Sequence, residues 1–600
     1  MGFRPTRPQV VRALDRLEAQ PSRRTLRHEW RTVGRETRSG RHQGPCRARR
    51  PPTPFRCPRS VEPGRRHSRQ RRRLRPPRQE RRGQEKEIRL SLCAVQPKTI
   101  LVKTVSAFFL SLAWALPVAT LAARDIFVPG PAQLSGALKA AKPGDVLTLK
   151  NGIWKDAKLV VSQGGRAGQP VEIRAESPGG VTLSGASFLE INAPYVTIDG
   201  LLFLGGATSR ASVIQFKSHH GVVRHTAIID YNPPAFETEC YWVFFAGDHN
   251  LVDRCYFKGK NNAHPLIGNA IEASRHNTVS RSYFKHIPYL ANANGREIIR
   301  VWGSGKLEER DDDGAYFTIE GNLFDHADGE GTETISLKSN HNVVRNNTVI
   351  ATRGGINIRR GNFNTVQNNI VLGQGVDGAH GLRMSGRGNL VQGNFISGCD
   401  YGIRVACGEF IAEALTPRYT PDVKPNSKRT AQVRIPTYPQ VRDLVLADNV
   451  LVGISGPDLE IGSSYKGHWP ESQQVLLPEE CVIKNNRFVR PQGGVSVVVT
   501  AAERTAPLGR FNFKPNAYTG NVLVGGGSIA EPAREGFAAL PIPAGWAEAQ
   551  ESAALRPLTA ADVGPAWVIA LRQNGKFPME DVANEARNAT AELRPKKKKR

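Results

Sequence analysis

Cysteine is scarce and unpatterned: the 600 residues contain eight, none in a Cys-x-x-Cys pair or a Cys/His arrangement with zinc-ligand spacing. That excludes zinc-finger and zinc-ribbon modules. Three of the eight, Cys46, Cys57 and Cys93, fall in the first hundred residues, which leaves Cys240, Cys255, Cys399, Cys407 and Cys481. An odd set with no regular spacing is no disulfide framework. Long apolar runs are equally scarce. The one that exists, from Val105 to Val118, is short for a membrane span. The first hundred residues also lack periodic apolar positions and are poor in acid, being mostly Arg, Pro, Ser and Gln. Such a stretch buries too little surface to offset the entropy of ordering, so disorder is predicted over residues 1–101.

The formal charge of +29 suggests a nucleic-acid partner until its position is considered. The excess sits in the first hundred residues and in Arg594 and Lys596 through Arg600, leaving a nearly neutral body. No nucleic-acid partner is therefore expected. Lys103, the apolar run and the small residues ending at Ala122 and Ala123 have the order of a secretory signal over residues 102–123. The expectation is an exported protein, periplasmic or extracellular, with no stable membrane anchor once the signal is cleaved. A signal so far inside a chain also implies that residues 1–101 lie upstream of the true start of translation.

From Arg124 onward, short β-rich runs alternate with Gly, Asn and Asp, and one phrase recurs: His249-Asn250-Leu251-Val252, His276-Asn277-Thr278-Val279, His341-Asn342-Val343-Val344, Phe363-Asn364-Thr365-Val366 and Gly388-Asn389-Leu390-Val391. Asparagine steps of 27, 22 and 25 residues separate 250 from 277, 342 from 364 and 364 from 389. A second series runs through Asn322, Asn347, Asn369 and Asn394. Asparagines that stack at turns, coil on coil, predict an all-β fold: a right-handed, single-stranded parallel β-helix over residues 124–500. Residues 132–142 have helical apolar spacing ahead of Pro143-Gly144 and are predicted to cap its N-terminal end. The Pro- and Ala-rich residues 501–600 read as a C-terminal cap and tail.

Strand alternation sorts the side chains. In residues 334–338 (TISLK), Ile335 and Leu337 point inward and Lys338 outward; the same sorting places Arg359, Arg383 and Arg404 outside, at steps of 21, 24 and 21 residues, with Arg300 before them. One stacked row of cations is expected. Like charges in a row need an anionic partner, and a linear polysaccharide bearing a carboxylate on every sugar fits. Lys338 has Arg359 one rung on and Glu330 and Glu333 just upstream. A lysine crowded by an arginine has a lowered pKa and can act as a base, which is what β-elimination at a uronate requires.

Residues 329–339 (GEGTETISLKS), 354–364 (GGINIRRGNFN) and 294–300 (NGREIIR) resemble blocks of polysaccharide lyase family six, the alginate lyase and chondroitinase B group. The resemblance implies an acidic polysaccharide as substrate, alginate first and dermatan or chondroitin sulfate second. It makes Lys338 the Brønsted base and Arg359 the acid or its organiser. Arg300, Arg383, Arg404 and His380 become substrate contacts. Calcium-dependent members hold Ca²⁺ with an asparagine and two glutamates spaced by one residue. Glu333 matches the second glutamate, whereas Gly331 stands at the first, so Glu330 and Asn294 complete the expected metal set in a displaced form. A metal-free site, with Arg300 or Arg359 neutralising the carboxylate, is the alternative. The other histidines sit at the repeat turns, where hydrogen bonding or exposure accounts for them. Two rival classes remain: a β-helix glycoside hydrolase, for which Asp311-Asp312-Asp313 is a weak candidate because three consecutive aspartates alternate faces and read as a loop, and a glycan-binding protein without catalysis.

Overall fold

The computed structural model describes residues 123–573 except 272–273, 291–293, 304–310, 411–435, 467–472, 501–511, 531–532 and 553–554. The expectations for residues 1–101 and for the signal, apart from Ala123, lie outside these.

Three parallel sheets of 14, 13 and 14 strands run the length of the described chain. They begin at Asp125–Val128 (first sheet), Lys158–Val161 (second) and Gly152–Lys155 (third), and each coil contributes one strand to each in turn. This is a right-handed parallel β-helix, the hand that parallel crossovers adopt. Alternation builds the interior. Ile335, Leu337, Ile356, Ile358, Leu382, Met384, Ile403 and Val405 are all buried, and Phe257, Phe284 and Phe324 stack at 5.1 and 4.7 Å down the axis. Pro131–Ala140 forms the capping helix and turns Leu134 and Leu138 onto the first coil.

The asparagines hold the turns. Asn322, Asn347, Asn369, Asn394, Asn449, Asn486 and Asn521 form one column, in which each side-chain oxygen accepts from the backbone N–H of the asparagine one coil earlier at 2.9–3.1 Å. Asn342, Asn364 and Asn389 form another. Buried amides satisfied coil by coil fix the register, because an unmade bond at such a site costs about 1–3 kcal/mol. The histidines of the repeat do something else. Tyr195, His220, His249, His276, Tyr316, His341 and Phe363, all at φ of 51–59°, form one column of rings with centroids 4.7–5.3 Å apart. Stacking orders these rings on the outside of the coils, where His220, His249 and His276 are exposed, as expected of turn histidines, and His341 Nε2 also meets the Asp311 carbonyl.

The coils do not stop at Thr500. Ala517–Thr519, Asn521–Gly525, Ser528–Ile529 and Phe537–Leu540 extend the three sheets. The chain then turns back along the outside of the third sheet as a strap. Ile542, Trp546 and Leu555 cover Ile370, Phe395, Val452, Val489 and Val524. Further on, Val563, Trp567 and Val568 cover Leu202, Ile229, Tyr256, Tyr283 and Leu323. Polar contacts pin it: Arg487 pairs with Glu551, Leu558 N–H donates to Thr348 Oγ1 at 2.9 Å, Gly564 N–H to the Arg281 carbonyl at 2.7 Å, and Trp567 Nε1–H to the His225 carbonyl at 2.8 Å. All five cysteines of the coils are buried and free.

Candidate active site

The second sheet carries the site on its outer surface. Strands Ile299–Trp302, Glu333–Lys338, Gly354–Ile358, Ala379–Met384 and Tyr401–Ala406 lie side by side. Their register separates what spacing had merged. Arg300, Ser336, Asn357, Arg383 and Arg404 stand in one row, while Trp302 and Lys338 open a second row two residues further on, which Arg359 continues just past its strand end. The expected single cation row is therefore two rows: positions i and i+2 both face outward, and unequal coil lengths hide which is which. Nor are these cations without counter-charge inside the protein. Arg383 Nη2 meets Glu333 Oε1 at 2.8 Å, Arg404 Nε meets Glu460 Oε2 at 3.1 Å, and Lys338 Nζ meets Glu297 Oε1 at 2.7 Å.

A cavity of about 310 Å³ opens between the rows, lined by Asn294, Gly295, Glu297, Arg300, Trp302, Lys338, Arg359, Arg360 and Thr437. Lys338 lies in its wall with 7% of its side chain exposed, its ammonium 4.8 Å from the centre of the Trp302 ring. Burial pushes its pKa down, with Arg359 adding a little, against the opposing pull of Glu297 and Glu333. Desolvation, more than the neighbouring arginine, is thus what makes this amine a candidate base.

Three carboxylates converge beside it. Glu297, Glu330 and Glu333 are buried, with one oxygen from each within 4.8 Å of the others. Burial would raise the Glu297 carboxyl, but Lys338 and Arg300 hold it below its ordinary value. Glu330 accepts from Gly295 N–H at 2.7 Å and from the Thr332 hydroxyl at 2.9 Å. Burial and the charges of Glu297 and Glu333 push its carboxyl up to about 7. Such crowding is relieved by a proton or by a cation, and three carboxylates, each with spare lone pairs, suit a hard divalent ion.

Of the expected metal set, Glu330 and Glu333 meet, and Asn294 lies exposed at the cavity rim. The third buried carboxylate is Glu297, which sequence reasoning passed over although it stands inside the quoted block NGREIIR. An acid followed directly by Ile298 and Ile299 in a strand-like run was the available signal, since a charge drawn into a buried strand needs partners. Gly331 could not have served: its φ is +77°, and a Cβ there would lie 2.5 Å from the Tyr289 ring. His380 stands on the strand Ala379–Met384, half-buried beside the site. Its Nε2 meets the Thr332 carbonyl at 3.0 Å, which also accepts from Asn357 Nδ2 at 3.1 Å, so the two steady the loop between Glu330 and Glu333. Tyr438 packs between Arg359 and Arg383, 5.3 and 5.1 Å from their guanidinium carbons.

The Chondroitinase B family model matches residues 128–406. A PL6 family polysaccharide lyase from Pseudopedobacter saltans is 39% identical, with a TM-score of 0.64 over 74% of this chain and 99% of its own. The chain belongs to polysaccharide lyase family 6. Another solved PL6 member, the alginate lyase AlyGC, is 27% identical with a TM-score of 0.61; the match covers 74% of this chain and 59% of that one. A mannuronic acid specific family 6 lyase from human gut microbiota shares the fold at 23% identity, with a TM-score of 0.60 over 75% of this chain and 98% of its own. No curated protein matches the chain.

For a polysaccharide lyase the useful arrangement is a buried amine facing a cavity, with fixed positive groups beside it. The glycosidase alternative finds no support in the acidic insertion. Asp313 pairs with Arg275 and Asp311 with Arg387, both at the turn that follows the second sheet rather than at the cavity.

Proposed function

We propose that this family 6 lyase cleaves uronate-containing glycans by β-elimination at the Lys338 cavity, with alginate as first substrate and dermatan or chondroitin sulfate as second. The observation that carries this reading is the buried Lys338 amine, its pKa pushed down, opening onto a cavity bordered by Arg300 and Arg359. Lys338 removes the proton from the carbon bearing the carboxylate. The electron pair left behind forms a double bond to the neighbouring carbon as the glycosidic C–O bond breaks, and the departing oxygen takes up a proton on the Arg359 side. Glu297, 2.7 Å from the amine, stabilises the ammonium that forms. Arg300, Arg383 and Arg404 orient the carboxylates of neighbouring sugars. The alginate and mannuronate activities named for the two more distant relatives support alginate.

Glu297, Glu330 and Glu333, with Asn294 at the rim, would hold Ca²⁺. When bound, the ion supplies positive charge against the substrate carboxylate and so makes the adjacent proton more acidic. Export, on the strength of residues 102–123, belongs to the same proposal.

The test follows ultraviolet absorbance of the unsaturated product on alginate, polymannuronate, polyguluronate and dermatan sulfate, each with calcium and with chelator. A rise that disappears in Lys338→Ala supports the reading and names the substrate. New reducing ends without the chromophore would overturn it.

A further inference from the structure

On the N-terminal side of the cavity, the outer surface of the second sheet changes chemistry. Ile267 pairs with Ile299, which sets Gly268 opposite Arg300, and Phe244 pairs with Gly268 one coil earlier. Gly268 thus leaves a gap in the outward row, and the Tyr241 ring fills it. A Cβ on Gly268 would lie 2.5 Å from Tyr241 Cε1 and 3.0 Å from Cδ1, so the ring rests on the glycine. Its hydroxyl accepts from Arg300 Nη2 at 3.1 Å, which ties the ring to a residue of the cavity wall. Phe244 packs beside it with centroids 4.8 Å apart, and His264, held by Glu239 at 2.9 Å, closes on it at 4.6 Å.

Cations dominate on the other side of the cavity, through Arg359, Arg383 and Arg404. On this side the charged neighbours of the ring cluster are Arg300, bonded to the Tyr241 hydroxyl at the cavity edge, Glu239, exposed and paired with His264, and, further back, Glu190, which Arg210 and Lys217 neutralise. Beyond Arg300 such a surface offers half-exposed rings to the apolar face of a pyranose rather than further positive charge to a carboxylate. Gly268 is two rungs from Ser336, roughly 10 Å at the spacing of neighbouring strands, and Ser336 shares its strand with Lys338. A glycan lying along the sheet through the cavity passes over the rings.

We propose that Tyr241, supported by Phe244, is a sugar-stacking platform for the part of a uronate polysaccharide that extends from the cavity toward the N-terminal coils. The inference rests on the reading of the cavity as the elimination site. Binding beyond the cleaved bond is felt only by substrates long enough to reach it. The measurement is therefore kcat/KM on a trisaccharide and a hexasaccharide of mannuronate or guluronate, for the unaltered chain, Tyr241→Phe, Tyr241→Ala and Gly268→Ala. The ratio of long to short is expected to fall about tenfold in Tyr241→Ala, equivalent to about 1.4 kcal/mol. It should hold in Tyr241→Phe, which loses only the bond to Arg300. Gly268→Ala, which displaces the ring without removing it, should lower the ratio in the same direction and serves if Tyr241→Ala fails to fold. An unchanged ratio in Tyr241→Ala and Gly268→Ala overturns the platform alone, and so does a Tyr241→Phe ratio that falls as far as that of Tyr241→Ala, since the effect would then run through Arg300. No turnover of either oligomer by the unaltered chain overturns the elimination reading and the platform with it.

Discussion

The second and third sheets are built from the same coils by the same alternation, yet their outer surfaces have opposite fates. Outward positions of the third sheet are Leu202, Ile229, Tyr256, Tyr283, Ile370 and Phe395, and the chain covers them with its own strap. Outward positions of the second sheet are Arg300, Lys338, Arg383 and Arg404, around a cavity the strap does not reach. Burial on the outside is thus of two kinds. Apolar side chains on the third sheet are removed from water for stability, at roughly 1.5–3 kcal/mol for each large residue fully buried. Lys338 and its three acidic neighbours are desolvated at a cost, which fits a surface shaped for chemistry rather than for holding the coils together.

That contrast can be broken in several ways. The largest effect should come from Lys338→Ala, with product formation falling about 10²–10⁴-fold while thermal unfolding moves little; a stability loss that accounts for the activity loss would erase the distinction. Glu330→Gln removes one carboxylate of the cluster, and the calcium concentration needed for half-maximal activity is expected to rise at least about tenfold, again without a matching change in unfolding. Trp567→Ala works on the other surface. It should cost about 2 kcal/mol, less than a fully buried aromatic because the ring is only partly covered, and kcat should stay the same. An effect confined to one pH interval is expected from Asp458, whose carboxyl is buried against Arg490 and Ser496 and pushed up to about 6 by that burial. A carboxyl raised in the folded state favours folding most when protonated. Its contribution, about 3 kcal/mol, is therefore present below its unfolded value near 4 and lost as pH climbs through about 6. Unfolding midpoints across that interval should show the slope, and Asp458→Asn should flatten it.

Much of this architecture was legible in the sequence because repetition amplifies weak signals. A single asparagine at a turn says little, but Asn322, Asn347, Asn369 and Asn394 at coil spacing say that each meets its copy. Lys338, Arg359, Glu330 and Glu333 were legible through block resemblance and do converge at one place. Register was not, because two outward positions per strand give the same residue counts, and only pairing shows that Arg383 stands opposite Asn357 while Lys338 stands opposite Trp302. Glu297 escaped because its importance comes from Glu330 and Glu333, more than thirty residues away in sequence. The strap escaped for a different reason. Its two helices, Glu548–Glu551 and Ala566–Gln573, are short, and the segment buries single residues such as Ile542, Trp546, Leu555 and Trp567 far apart, so no sustained period marks it.

The strap also changes how the molecule comes apart. In a solenoid each coil touches only its neighbours, so coils can fray from an end one at a time. Here one segment bonds to His225, Arg281 and Thr348 in three different coils and packs along a surface reaching to Val524. Loss of any of those coils loosens the segment that holds the others, which couples distant coils into one cooperative unit. Because that segment follows all the coils in the chain, cooperativity of this kind is acquired last, and a nascent coil stack waits with the apolar outside of its third sheet open to water.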